Sequence, residues 1–162
     1  MTRKTAFLGL FSALAIILGY IETLLPVFAG LPGIKLGLAN LSVLFILMQT
    51  TFAEAFLVSM IRILVLGFLF GNMFSILYSL SGALLSLLVM TLFKKSGHFS
   101  ILGISLAGGV SHNIGQLLMA MAVVENLNLI YYLPALLLSG LITGLLIGCL
   151  TREIQKRIGG IS

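Results

Sequence analysis

Aspartate is absent from this chain. Chemistries built on aspartate pairs therefore cannot be assembled from it. Charge of either sign is scarce, at 8% of 162 residues, where soluble domains carry about 25%. The acids are Glu22, Glu54, Glu125 and Glu153. Cysteine is reduced to Cys149 in an apolar run, so one chain can form neither a disulfide nor a thiolate metal cluster. A Walker A sequence is missing, which excludes ATP binding by that route. The two histidines, His98 and His112, fall in different parts of the chain and cannot make a metal site together. No serine or cysteine stands beside a base in a recognisable motif. The reading is of a protein that is not an enzyme and binds no cofactor of its own.

What is present is apolar: 60% hydrophobic residues and a mean hydropathy of +1.23. A water-soluble fold of this length could not bury that much apolar surface, so the expected solvent is lipid. One domain over 1–162 is expected. A bilayer core is crossed by about 20 apolar helical residues. Six segments qualify: Thr5–Leu25, Leu36–Thr50, Ala53–Phe70, Met73–Phe93, Ile101–Val124 and Leu129–Leu150. The second is short and crosses only with help from the irregular segment before it. The first follows Arg3 and Lys4 and also looks like a signal peptide, with Val27-Phe28-Ala29 as a cleavage site. Its apolar run exceeds a signal core of roughly 7–15 residues and further spans follow, so it is retained as a helix. The expected fold is an all-α integral membrane protein of six transmembrane helices.

The net charge of +5 raises the question of nucleic acid, but the basic residues are scattered at helix ends rather than gathered in a patch. Membrane orientation explains them better. With the N-terminus inside, the inner ends hold Arg3, Lys4, Lys94, Lys95, Arg152, Lys156 and Arg157, and the outer loops hold Lys35. That asymmetry puts both termini in the cytoplasm of a plasma membrane. Thr51 followed by Glu54 reads as a capping box that starts the third helix. Glu22, at the end of the first helix, is either solvated or paired with Lys35 or Arg62.

Small residues repeat on two helices: Ala6, Gly9 and Ala13 on the first, and Gly140, Gly144 and Gly148 on the sixth. Such rows allow close helix contacts. They serve either internal packing or docking onto another membrane subunit, with Gly9, Ala13, Gly140 and Gly144 as the docking candidates.

Two polar stretches interrupt the apolar pattern. One is Gly33-Ile34-Lys35-Leu36-Gly37-Leu38-Ala39-Asn40, preceded by Pro26, Gly30 and Pro32. The other is His112-Asn113-Ile114-Gly115-Gln116. At ~1.5 Å per helical residue, Arg62 lies about 12 Å below the outer end of its helix, with Gln116 at a similar depth and His112 one turn deeper. Asn40 lies shallower, and Lys35 and Asn72 at the lip. His112 and Gln116 share a helix face, while Asn113 points about 100° away and could bridge helices instead. An arginine in a span costs at least ~2.5–3.5 kcal/mol on insertion scales and requires a partner. Glu22, backbone carbonyls freed by the Pro/Gly stretch, or an anionic ligand could supply it. Lys35, Asn40, Arg62, Asn72, His112, Asn113 and Gln116 are therefore the candidate solute-binding residues of a funnel open to the outside.

The run from Pro32 to Asn40, then Arg62, then Ser111 to Gln116 resembles the Gx transporter family, also labelled heptaprenyl diphosphate synthase component I. That family is similar in size and layout to the substrate-binding S components of energy-coupling factor transporters. The resemblance implies a bacterial six-helix bundle that binds a vitamin-like or anionic solute and associates with a membrane T protein and two ATPase subunits. ATP would then be hydrolysed by those partners. In such proteins small residues on the first helix dock onto the T protein, and Gly9-Leu10-Phe11-Ser12-Ala13 is the nearest match here. The synthase label implies prenyl elongation, for which this chain lacks the aspartates; on that reading it is a non-catalytic accessory subunit. Some relatives are similar to a membrane component of flavin-based extracellular electron transfer, which implies a partner in redox or quinone chemistry.

Overall fold

The computed structural model describes residues 2–24 and 37–158. Among them are six α-helices, one 3-10 turn and no strand. The helices are α1 (Thr2–Leu24), α2 (Leu38–Gln49), α3 (Phe52–Phe70), α4 (Met73–Ser96), α5 (Ile101–Val124) and α6 (Leu133–Ile158), the last preceded by the 3-10 turn Leu127–Tyr132. Five are long and apolar enough to cross a membrane; α2, at 12 residues, is not. At 1.5 Å per residue it spans about 18 Å, against a hydrocarbon core of about 30 Å.

The local chemistry explains the boundaries. Thr51 and Glu54 form the capping box expected at the start of α3, with Thr51 N–H donating to Glu54 Oε2 at 3.1 Å. A second box starts α4: Ser75 N–H donates to Asn72 Oδ1, and Asn72 N–H to Ser75 Oγ, both at 2.8 Å. Gly97 ends α4 with φ 71°, in the left-handed region where glycine carries no Cβ penalty. The sixth helix starts later than the sequence suggested. Asn126 Oδ1 accepts from Asn128 N–H at 3.0 Å and opens the 3-10 turn, and Pro134 sits in the first turn of α6, where its missing N–H costs nothing.

The short helix is the centre of the molecule. Every residue from Ser42 to Leu47 is buried, the pattern of a helix with apolar neighbours all round. Val43, Leu44, Ile46 and Leu47 pack with Ala15 of α1, Ala55 and Val58 of α3, Leu87 of α4 and Ile147 of α6. At its C-terminal end the Lys94 ammonium donates to the carbonyls of Leu47 and, at 3.0 Å, of Thr50. These are carbonyls that the helix leaves unsatisfied, and the cation also meets the negative end of the helix dipole. Lys4 pairs with Glu54 at the same end of the bundle.

The helices form two halves. α1, α2 and α3 pack on one another through large apolar side chains, while α5 packs on α4 and on α6 through small ones. The α5–α6 seam runs along the sixth-helix glycines. A Cβ on Gly140 would meet Gly109 O at 2.8 Å, and one on Gly144 would meet Ser105 O at 2.8 Å. Ser105 Oγ donates to Gly144 O across the same seam at 2.7 Å. Gly140 and Gly144 are thus consumed by internal packing, which corrects their reading as docking residues. Gly9 and Ala13 differ: both are exposed, and nothing comes within 4 Å of a Cβ built on Gly9. The outer surface of the helices carries large exposed apolar side chains such as Leu10, Ile17, Phe68, Leu92 and Leu138, as a lipid-facing surface requires.

Candidate functional site

The two halves part at the end of the bundle away from Lys4, Lys94 and Glu54, and leave a cavity of about 150 Å³ between them. All six helices contribute to its wall. From α3 comes Arg62, only 8% exposed. Its Nε has no hydrogen-bond partner among the described residues. From α1 comes Glu22, whose Oε1 accepts the Gly37 N–H at 2.5 Å. Gly37 precedes α2 with φ 73°, a left-handed conformation that a side chain would strain. The contact ties the end of α1 to the start of α2 and fixes the carboxylate in the cavity wall. Glu22 and Arg62 line the same space without forming an ion pair within 4.0 Å. One turn into α2 stands the half-buried Asn40.

The opposite wall is α5. His112 and Gln116 lie along α4 where Gly82 leaves room for them: a Cβ there would sit 2.8 Å from Gln116 Cγ and 3.1 Å from His112 Cε1. Asn113 also reaches the cavity, but its Nδ2 donates to Leu136 O of α6 at 2.7 Å. Its donor is engaged in joining helices, so Asn113 acts chiefly as a bridge.

The structure thus brings Asn40, Arg62, His112, Asn113 and Gln116 to one cavity. Asn72 is not among its lining residues; it is exposed and caps α4, which corrects its reading as a solute ligand. Lys35 lies outside the described residues. The sequence reading missed Ser75, Ser79 and Thr143 in the wall, and had left Glu22 undecided. On α4 the missed signal was a row: Ser75, Ser79, Gly82 and Ser86, small or polar residues at helical spacing in an otherwise apolar segment.

Chemically the cavity wall combines one cation, Arg62, with one carboxylate, Glu22, and several neutral polar groups. It offers a guanidinium with free donor capacity, amides and an imidazole. Among the described residues no three of His, Cys, Asp or Glu come together to hold a metal ion. A family model described as heptaprenyl diphosphate synthase component I matches residues 11–154, most of the chain. Neither a search of curated proteins nor one of solved structures gave a match.

Proposed function

The chain belongs to the heptaprenyl diphosphate synthase component I family, and on that premise we propose that it is a membrane-embedded binding subunit for a small anionic solute. The family description names one component of a synthase, and a chain that has no aspartate suits a non-catalytic component. One observation carries the binding reading: Arg62 is buried at a cavity wall with no hydrogen bond from Nε among the described residues. A buried charge is normally paired, and a missing partner in a cavity points to a ligand. The carboxylate nearby does not remove the need, because Glu22 is held by Gly37 rather than by the guanidinium.

The topology that goes with this function has six crossings, with α2 crossing as the covered centre of the bundle and both termini in the cytoplasm. Its support is the distribution of basic residues, with Lys4, Lys94, Lys95, Lys156 and Arg157 at helix ends opposite the cavity. The cavity then faces outward, as uptake requires. The chain has no nucleotide motif, so accumulation against a gradient calls for a T protein and two ATPase subunits of the energy-coupling factor type. Gly9 and Ala13 on the exposed face of α1 are the docking position for the T protein.

The family description favours a second reading, a membrane accessory to isoprenoid machinery, which the resemblance extends to quinone or flavin-based electron transfer. The size of the cavity argues against a whole prenyl chain lying inside it. A water molecule needs about 10–15 Å³ of such space, so 150 Å³ holds on the order of ten non-hydrogen atoms, far fewer than a heptaprenyl tail. Native mass spectrometry of the purified protein separates the two. The binding reading expects a small anionic adduct that is absent from the Arg62→Gln variant. A prenyl diphosphate or quinone adduct retained by that variant would reject it.

A further inference from the structure

His112 divides two spaces. The larger cavity reaches it from one side, and a second cavity of about 40 Å³ begins on the other and runs toward the basic end. Both are walled by Asn40, Gly109, His112 and Thr143. The smaller chamber is lined deeper on three helices: Ser59 lies one turn below Arg62 on α3, Ser86 and Met90 lie below Ser79 on α4, and Ile147 lies below Thr143 on α6. No charged side chain lines it among the described residues.

Three serine hydroxyls face this chamber, and two are occupied. Ser86 Oγ donates to Gly108 O at 2.9 Å and Ser105 Oγ to Gly144 O at 2.7 Å. Ser59 is different. It is 2% exposed, and its Oγ has no hydrogen-bond partner among the described residues. A buried hydroxyl in an apolar interior is normally satisfied, so something is expected to meet it. By the space a water needs, 40 Å³ takes roughly three non-hydrogen atoms.

We propose that this chamber is an inner subsite that receives the short uncharged end of a solute whose anionic group faces Arg62, with Ser59 Oγ meeting that end. The inference rests on the binding reading above and narrows it to a class: an amphiphilic anion, carboxylate or phosphate, with a short apolar tail bearing at most one hydrogen-bonding atom. A solute charged at both ends does not fit, because a second charge in the chamber would be buried without a partner.

The test uses the full chain with Cys149→Ser as background and methyl methanethiosulfonate as the thiol probe. Ser79→Cys reports on the larger cavity, since Ser79 lines that one only. Butanoate and hexanoate serve as competing anions. Hexanoate is expected to protect Ser79→Cys at roughly tenfold lower concentration than butanoate, from two further methylenes buried at ~0.8 kcal/mol each. Adding Ser59→Leu fills the chamber and should bring the two anions to equal potency while butanoate still protects. An unchanged tenfold ratio in Ser59→Leu, or equal potency without it, overturns the inner subsite and leaves the outer site standing. Lack of protection by either anion overturns the binding reading itself. Should Ser59→Leu fail to fold, Ser59→Cys decides: labelling of the folded protein, blocked at lower concentration by hexanoate than by butanoate, supports the subsite. Failure to label while Ser79→Cys reacts refutes it.

Discussion

Replacing Arg62 by glutamine should move stability and binding in opposite directions. Arg62 is 8% exposed, and its Nε donates to nothing among the described residues. An arginine within a span costs at least ~2.5–3.5 kcal/mol on insertion scales. Glutamine keeps a polar tip and removes the charge, so the empty protein should be no less stable and should unfold at an equal or higher temperature in detergent. Glu22 loses a nearby counter-charge, but it keeps its bond to Gly37 N–H and is only half-buried. With solute bound, the same change removes one side of a buried charge pair, worth ~2–5 kcal/mol. That is a loss of roughly thirtyfold to a few thousandfold in affinity. Arg62→Lys should recover part of it, since it restores the charge without the planar fork. The assay is paired: thermal unfolding of the ligand-free variants, and calorimetric titration with the solute eluted from the wild type. A destabilised Arg62→Gln that binds as tightly as the wild type would refute the reasoning, and would make Arg62 a structural residue.

Three further outcomes follow from other parts of the fold. Asn72→Ala should cost about 1 kcal/mol of stability by removing the α4 cap and leave solute affinity unchanged, which titration and thermal unfolding together would show. Gly144→Val should prevent folding or lower the unfolding temperature sharply, because its side chain would drive into the Ser105 carbonyl at the α5–α6 seam; circular dichroism on heating reads this. Ala13→Leu should leave the isolated protein folded and solute-bound, because the position is exposed, yet abolish co-purification with a T protein. Loss of fold there would mean that the α1 row packs internally.

Helix positions were readable from the sequence because each long apolar run has one stable backbone solution in lipid. The Thr51–Glu54 box located the junction of α2 and α3, even though apolar residues continue on both sides. The central place of α2 was less visible. Its length marks it as unusual, but whether an apolar helix faces lipid or protein is not carried by composition. The same gap explains the small-residue rows. Spacing shows that Gly140 and Gly144 share a face, as Gly9 and Ala13 do, and only packing shows which face is covered. In the site, depth along the helices grouped Asn40, Arg62, His112 and Gln116, and all four line one cavity, since polar atoms in a span must turn inward. Depth alone also admitted Asn72, whose pairing with Ser75 is local and takes its side chain out of the site. Glu22 reached the cavity through a contact fifteen residues along the chain, with Gly37, that no periodicity encodes.

The most direct test of a solute-binding membrane subunit is an experimental structure of the chain with its co-purified solute. The account predicts density for one small molecule between the two helical halves, with its anionic group within hydrogen-bond distance of the Arg62 guanidinium and polar contacts from Asn40, His112 or Gln116. An empty cavity closed by a direct Arg62–Glu22 ion pair, with the solute held elsewhere on the protein, would contradict it.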